Sequence, residues 1–262
     1  MVFGDVVRRW RKVRKLSQFE LALMASVSQR HLSCLETGRS RPSRPMVMQL
    51  AEALDIPLRD RNELLSSAGF AKIYRESGLD HVQMASVRLA LEQILDKHEP
   101  YPCVVVDRFW NIVSSNNALR KLISIAGELD VDEKVSRNLA LLTLHPKGLR
   151  PFIVNFEGTV APFVQRLRRD MLRYSDPETE AFFETVRELI DDVEVLDASS
   201  EEPLMPTLSL EMQMGQVHIA LFSVIATFGT PQDITTDELR IESFFPADED
   251  SKLYLQALAD HH

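Results

Sequence analysis

The chain has 262 residues, 45% of them apolar, enough for one small and one medium domain that each bury a core. Its formal charge of −9 is unevenly spread: residues 1–72 carry thirteen Lys/Arg against seven Asp/Glu, a net of +6, and residues 73–262 a net of −15. The two cysteines, Cys34 and Cys103, form no pairing pattern, and the most apolar run, Val217 to Gly229, is too short for a bilayer and contains His218.

The first expected helix, Phe3 to Lys15, turns Val6, Val7 and Trp10 inward and crowds Arg8, Arg9, Arg11, Lys12, Arg14 and Lys15 around them. Leu16 to Gly38 then reads as two short helices joined by a tight turn. Ser17 and Glu20 fit a capping box ahead of an apolar face made by Leu21, Ala22 and Ala25. Ser28 caps the second helix, Leu32 and Leu35 share one face, and Gly38 stops it as a C′ glycine does. The face left outward carries Gln29, Arg30, Ser33 and Thr37, and Gln and Arg are the side chains that fit the edges of adenine and guanine.

Arg39 to Pro45 is a basic loop whose two prolines exclude helix interior. Taken alone it reads equally as solvated surface. Ser43 caps a fourth helix with Pro45 in its first turn and Met46, Leu50, Ala51 and Leu54 expected inside; Pro57 opens a fifth that ends near Gly69. Residues 1–70 thus make an all-α, five-helix domain. Residues 71–100 form a connector and a linking helix from His81 to His98, with Val87, Leu91, Ile94 and Leu95 on one stripe; that helix joins the domains or supports a dimer.

Residues 101–262 turn to strands. Cys103–Asp107 and Trp110–Ser114 flank a tight Asp-Arg-Phe turn, and Asn116 caps a helix after them. The stretch from Leu139 to Asp192 reads as helices broken at His145-Pro146-Lys147-Gly148. Strands return at Thr207–Met214, Gln216–Phe228 and Leu239–Phe245, with Gly215 turning between the first two. The fold class is α+β: an antiparallel sheet with helices over one face follows the helical domain.

Residues 4–68 resemble the phage-repressor-like, XRE-family helix-turn-helix domain through LSQFELA and VSQRHLSCLETGRSRPS. One departure is Ser26, at a turn position where the family usually has glycine. Across nearly the whole chain the sequence resembles the MmyB-like regulators, through SQRHLSCLETGRSRPS, HEPYPCVVVDRFWNIVSSNNA, LHPKGLRPFIVNFE and TFGTPQDITTDELRIESFFPADE. That resemblance implies a PAS-like second domain and a fatty-acyl or similar ligand. It also implies a phosphate contact for Gln18 and an internal Arg11–Glu36 ion pair.

The candidate DNA contacts are Gln29 and Arg30 on base edges, with Ser28 and Ser33 beside them, and Gln18, Arg39, Arg41 and Arg44 on the backbone of double-stranded DNA. Candidate pocket residues are Trp110, Leu141, Leu144, Phe152, Ile153, Phe163, Phe222 and Phe228, with Arg150, Asn155 and His145 at the mouth for a ligand head group. Taken singly, each apolar one reads more readily as plain core than as pocket lining. Arg166, Arg168, Arg169 and Arg173 read as a solvated helical face. The histidines lack metal-site spacing and no phosphate-cradling glycine loop occurs, so neither metal nor cofactor is expected, beyond a bound fatty acid as ligand.

With the amino terminus charged from Asp5 onward, no signal peptide is visible, and a cytoplasmic, non-membrane, non-enzymatic regulator acting as a homodimer is expected. Two other readings stand beside it: an antitoxin-like interaction protein that binds DNA secondarily, and an enzyme acting on a lipid-like substrate.

Overall fold

The computed structural model describes residues 2–171, 174, 176–191 and 209–260. The described chain forms two compact units: one holds the residues up to Ser77 together with Thr230–Asp237, and the other most of the chain from Gly78 on.

The first unit contains α1 (Phe3–Val13), α2 (Gln18–Met24), α3 (Gln29–Glu36), α4 (Arg44–Ala53) and α5 (Leu58–Ser67). Their inward stripes meet in one core around Trp10, Leu21, Leu32, Leu35, Leu50, Leu54 and Leu64. On α4 the buried position in the first turn is Val47, and Met46, expected inside, is only half-buried. Ser17, Ser28 and Ser43 cap α2, α3 and α4 as expected, each accepting a backbone N–H three residues on.

All five of these helices end the same way. The residue after the C-cap takes a positive φ: Lys15 (56°), Ser26 (49°), Gly38 (74°), Asp55 (47°) and Gly69 (84°). For α2, Ser26 N donates to Leu23 O and Val27 N to Ala22 O, the two bonds of a Schellman motif. The next residue is apolar and packed on the core at Leu16, Val27, Ile56 and Phe70. After α3 it is Arg39, which stays exposed.

The N-cap of α5, Pro57, has no side chain to offer. The Leu58 N–H instead donates to the Asp237 carboxylate at 3.0 Å, from a residue 179 positions on. Around it Ile234 is buried, its N–H donates to Arg75 O at 2.8 Å, and Asp233 accepts from Ser77 N. Asn62 closes the same corner: its Oδ1 accepts from Ile73 and Tyr74 N–H, and its Nδ2 donates to Tyr74 O.

The second unit begins with a short 3₁₀ turn and α6 (Ala85–His98), followed by β1 (Cys103–Val106) and β2 (Ile112–Ser115). Asn116 caps α7 (Asn117–Ile125) as expected. Next come α8 (Glu133–Ser136), α9 (Leu139–Leu144), α10 (Phe156–Met171) and α11 (Pro177–Glu188). Then follow β3 (Ser209–Met214), β4 (Val217–Ala226), β5 (Arg240–Pro246) and α13 (Glu249–Asp260), while α12 (Ile234–Glu238), between β4 and β5, belongs with the first unit up to Asp237. Residues 207–208, in the expected third strand, and Arg173 and Asp192 lie outside the described residues.

The five described strands pair antiparallel throughout, in the order β2-β1-β5-β4-β3. Gly215, at φ 63°, takes the first central position of the two-residue β3–β4 turn, where a II′ hairpin needs a positive φ. The fold class is the α+β one expected, with several corrections. Helices cover both faces of the sheet. Residues Val104, Val106, Met212, Met214, Ile219 and Leu221 face α7, α9, α10 and α11. Cys103, Val105 and Ile241 face the other way, onto Leu91 and Leu95 of α6. On α6 the buried stripe steps by four, so Ile94, expected inside, is exposed.

Trp110 does not open the second strand. It lies in the turn at φ 66°, held because Asp107 Oδ1 accepts from Phe109 and Asn111 N–H. Its ring is buried, and Asn138 ties the turn to α9 by donating to Phe109 O while capping Leu141 N. Arg108, beside it, is buried and paired with Asp176 at 2.7 Å and Glu178 at 3.1 Å.

Candidate DNA-binding face and sensor core

On α3, Leu32, Leu35 and Glu36 point inward, which turns Gln29 and Arg30 out to solvent with Ser33 half-exposed between them. Arg39, Arg41 and Arg44 follow, all exposed, and like that of Arg30 their guanidinium groups make no ion pair or hydrogen bond among the described residues. Ser28 is exposed but its hydroxyl already accepts from His31 N at 3.2 Å. Four free guanidinium groups thus cluster around one solvent-facing helix and the loop after it.

The arginines of α1 have a different fate. Glu36, at the inner end of α3, is buried, and Arg11 meets it with two bonds, Nε to Oε1 at 2.6 Å and Nη2 to Oε2 at 2.9 Å. Arg8 donates to the Glu36 carbonyl, and Arg14 donates to Leu54 O and Asp55 O at the end of α4. Burial pushes the Glu36 carboxyl up, but the bonds from Arg11 and Gln18 and the nearby charges pull harder, and it ends below the usual carboxylate range. The Arg11–Glu36 pair is the expected one. Gln18 is committed to the same network: its Nε2 donates to Glu36 Oε2 at 2.9 Å, which leaves its second amide hydrogen as a further donor.

Gly4 explains how α1 and α3 come so close. A Cβ there would lie 2.5 Å from Glu36 O and 2.6 Å from Leu35 O.

In the second unit the expected pocket residues divide. Trp110, Leu141, Leu144, Phe152, Ile153 and Phe163 do gather in the core between sheet and helices. Phe222 and Phe228 do not. Along β4 the inward positions are Ile219, Leu221 and Ile225, so period-two alternation turns Phe222 to the opposite face, stacked 5.4 Å from Phe245. Phe228 packs with the α6 cluster.

The expected polar mouth is also spent elsewhere. Asn155 pairs with the edge of the sheet, donating to Ser209 O at 2.8 Å and accepting from Glu211 N at 3.0 Å. His145 Nδ1 accepts from Lys147 N within its own loop. Arg150 donates to Leu189 O and lies 4.6 Å over the Phe156 ring. A surface hollow lined by Glu184, Arg187, Glu188, Ile190 and Asp191 is too charged for an apolar body.

A polar group that sequence reasoning placed in solvent sits inside instead. Arg166 of α10 reaches Glu242 of β5 at 3.2 Å, and Ser223 of β4 donates to the same oxygen at 2.7 Å. The Glu242 side chain is 3% exposed and that of Arg166 25%. The guanidinium lies 4.9 Å over Trp110 and 5.0 Å over Phe163. Arg168 and Arg169 are exposed, as expected. The signal was present in the sequence: Ser223 falls in phase with Ile219, Leu221 and Ile225, where alternation calls for an apolar residue.

A helical head with an exposed basic face on and after α3, followed by an α+β domain, is the layout of a two-domain DNA-binding regulator. Profile comparison agrees. Residues 7–60 match the helix-turn-helix family, and residues 87–258 match the MmyB-like transcription regulator ligand binding domain. That second match covers more than half of the sequence, and the chain belongs to the MmyB-like transcription regulators, with their ligand-binding domain. No curated protein matches it. An RNA-binding light-oxygen-voltage receptor of known structure aligns at 9% identity and a TM-score of 0.24. That alignment spans 97% of this chain and 61% of the receptor, and a likeness so low carries no argument.

Proposed function

We propose that this regulator binds a two-fold operator as a homodimer in the cytoplasm, and that an apolar acyl compound in the second domain alters that binding without being turned over. Gln29 and Arg30 read base edges, with Ser33 secondary, while Gln18, Ser28, Arg39, Arg41 and Arg44 hold the phosphate backbone. The observation that carries this reading is the set of four exposed guanidinium groups on and after α3 that have no partner among the described residues, next to α1 arginines tied up internally. Dimer symmetry places the two reading helices one turn of DNA apart, about 34 Å. The ligand acts by binding two arrangements of the protein with different affinity.

Operator selection from random duplexes supplies the test sequence. On it, Arg30→Ala lowers specific binding by about 1–3 kcal/mol and relaxes base preference at one position in each half-site. Arg41→Ala weakens specific and non-specific duplexes alike and reduces the salt slope by about one phosphate contact. Two variants that bind like the parent at all salt concentrations would refute the assignment of this face.

A further inference from the structure

We propose that the segment between β4 and β5, Thr230–Asp237, is the transmitter of this regulator: docked among the helices of the head it holds the DNA-reading state, and the second domain controls the head by loosening it. This inference rests on the sensor reading given above and names the element through which sensing reaches the DNA.

Strands β4 and β5 pair directly, down to Ala226 opposite Ile241. Neighbouring antiparallel strands need a connection of only about two to five residues. Here the chain runs on instead, and Thr230–Asp237 joins the helical unit before β5 begins at Arg240. Hydrogen bonds hold it there: Leu58 N donates to Asp237 Oδ2 at 3.0 Å, Ile234 N to Arg75 O at 2.8 Å and Ser77 N to Asp233 Oδ1 at 3.3 Å. Ile234 is the buried apolar residue among them. A cap such as Asp237 shifts an equilibrium by about fivefold. Ties of that size make docking a reversible step, one that a second site can bias.

Both ends of the segment are fixed in the second domain. Phe228 before it and Leu239 after it pack with Leu91, Leu95 and Ile241. Glu238 is buried, its Oε2 3.8 Å from Arg108 Nε. Inward residues of the two flanking strands, Leu221 and Ile225 of β4 and Phe244 of β5, belong to the core between sheet and helices. Anything that respaces β4 and β5 therefore pulls on a loop with both ends held. The pull falls on Asp237, the cap of α5, and α5 packs on α1. Helix α1 in turn holds the reading helix α3 through Arg11 and Glu36. Loosening the segment thus weakens the support of the reading face without touching that face.

Linkage is reciprocal, so duplex bound at the head acts back along the same segment. Amide exchange of the full-length protein, with and without a saturating amount of the selected operator, reads this. The duplex slows exchange at residues 230–237 and at the start of β5 as well as in α3, by about fivefold. In the double variant Asp233→Ala, Asp237→Ala it protects α3 but no longer β5. A mixture of decanoate, tetradecanoate and hexadecanoate changes operator affinity of the parent by about fivefold or more, and that of the double variant not at all. Val47→Ala, which weakens the head in its core and leaves the segment intact, keeps the full response; a merely structural role would make the two variants behave alike. If the double variant fails to fold, Asp237→Ala alone is read in its place. The proposal is overturned if duplex leaves residues 230–237 and β5 of the parent unchanged, or if the variant responds to the fatty acids as the parent does. A parent that ignores the fatty acids refutes the acyl-sensor reading instead, and exchange driven by the duplex then decides the segment's role by itself.

Discussion

Ser26 turns the backbone between α2 and α3 at φ 49°, a conformation that a residue with a Cβ adopts only at a cost. The two backbone bonds of the turn, Ser26 N to Leu23 O and Val27 N to Ala22 O, are those formed around a glycine, so the motif survives and the strain is local. Ser26→Gly is therefore expected to stabilise the head by up to about 1 kcal/mol, less the added freedom of the unfolded chain, with operator affinity unchanged. Urea unfolding of the two proteins checks it. Residue-scale features of this kind were the most legible in the sequence. Ser17, Ser28, Ser43 and Asn116 each cap through an N–H three positions on, which needs no knowledge of distant chain. Asn155 and Arg166 were not legible, because their partners are 54 and 56 residues away for the first and 76 for the second.

At the scale of elements, α3 is held to α1 by the Glu36 carboxylate and by the close approach at Gly4. A carboxyl whose native pKa is lowered contributes stability that is complete above the unfolded value and lost as pH falls through the native one. Glu36→Gln is thus expected to cost roughly 3 kcal/mol at neutral pH, by leaving Arg11 without its buried counter-charge. The gap between the two proteins begins to narrow as pH falls below the ordinary carboxylate range and closes only where the native carboxyl, held below that range, is itself protonated. Denaturant melts at several pH values measure that gap, and a constant difference would contradict the argument. Among the strands, existence and order along the chain were readable, while facing was not. The apolar run through β4 offers aromatic and aliphatic residues in both phases, and only pairing with β5 decides that Leu221 turns inward and Phe222 outward.

On the scale of the whole molecule, two units interleave along the sequence, since residues 230–237 belong with the helical head. Single-sequence reading drew a simple boundary after residue 70, because nothing local in TPQDITTD announces a partner so distant. Asp237→Ala removes the acceptor at the start of α5 and is expected to cost the head about 1 kcal/mol, as the loss of a helix cap does. Amide exchange at Leu58 and its neighbours reads this directly, and unchanged protection there would contradict the capping role.

That borrowed cap has a consequence for timing at the ribosome. At ordinary elongation rates, roughly ten to forty seconds separate translation of Leu58 from that of Asp237. Throughout that interval the nascent reader lacks one of its fastenings. A polypeptide abandoned before Asp237 would carry a loosened head, so such truncated products would compete poorly with finished ones for the promoter.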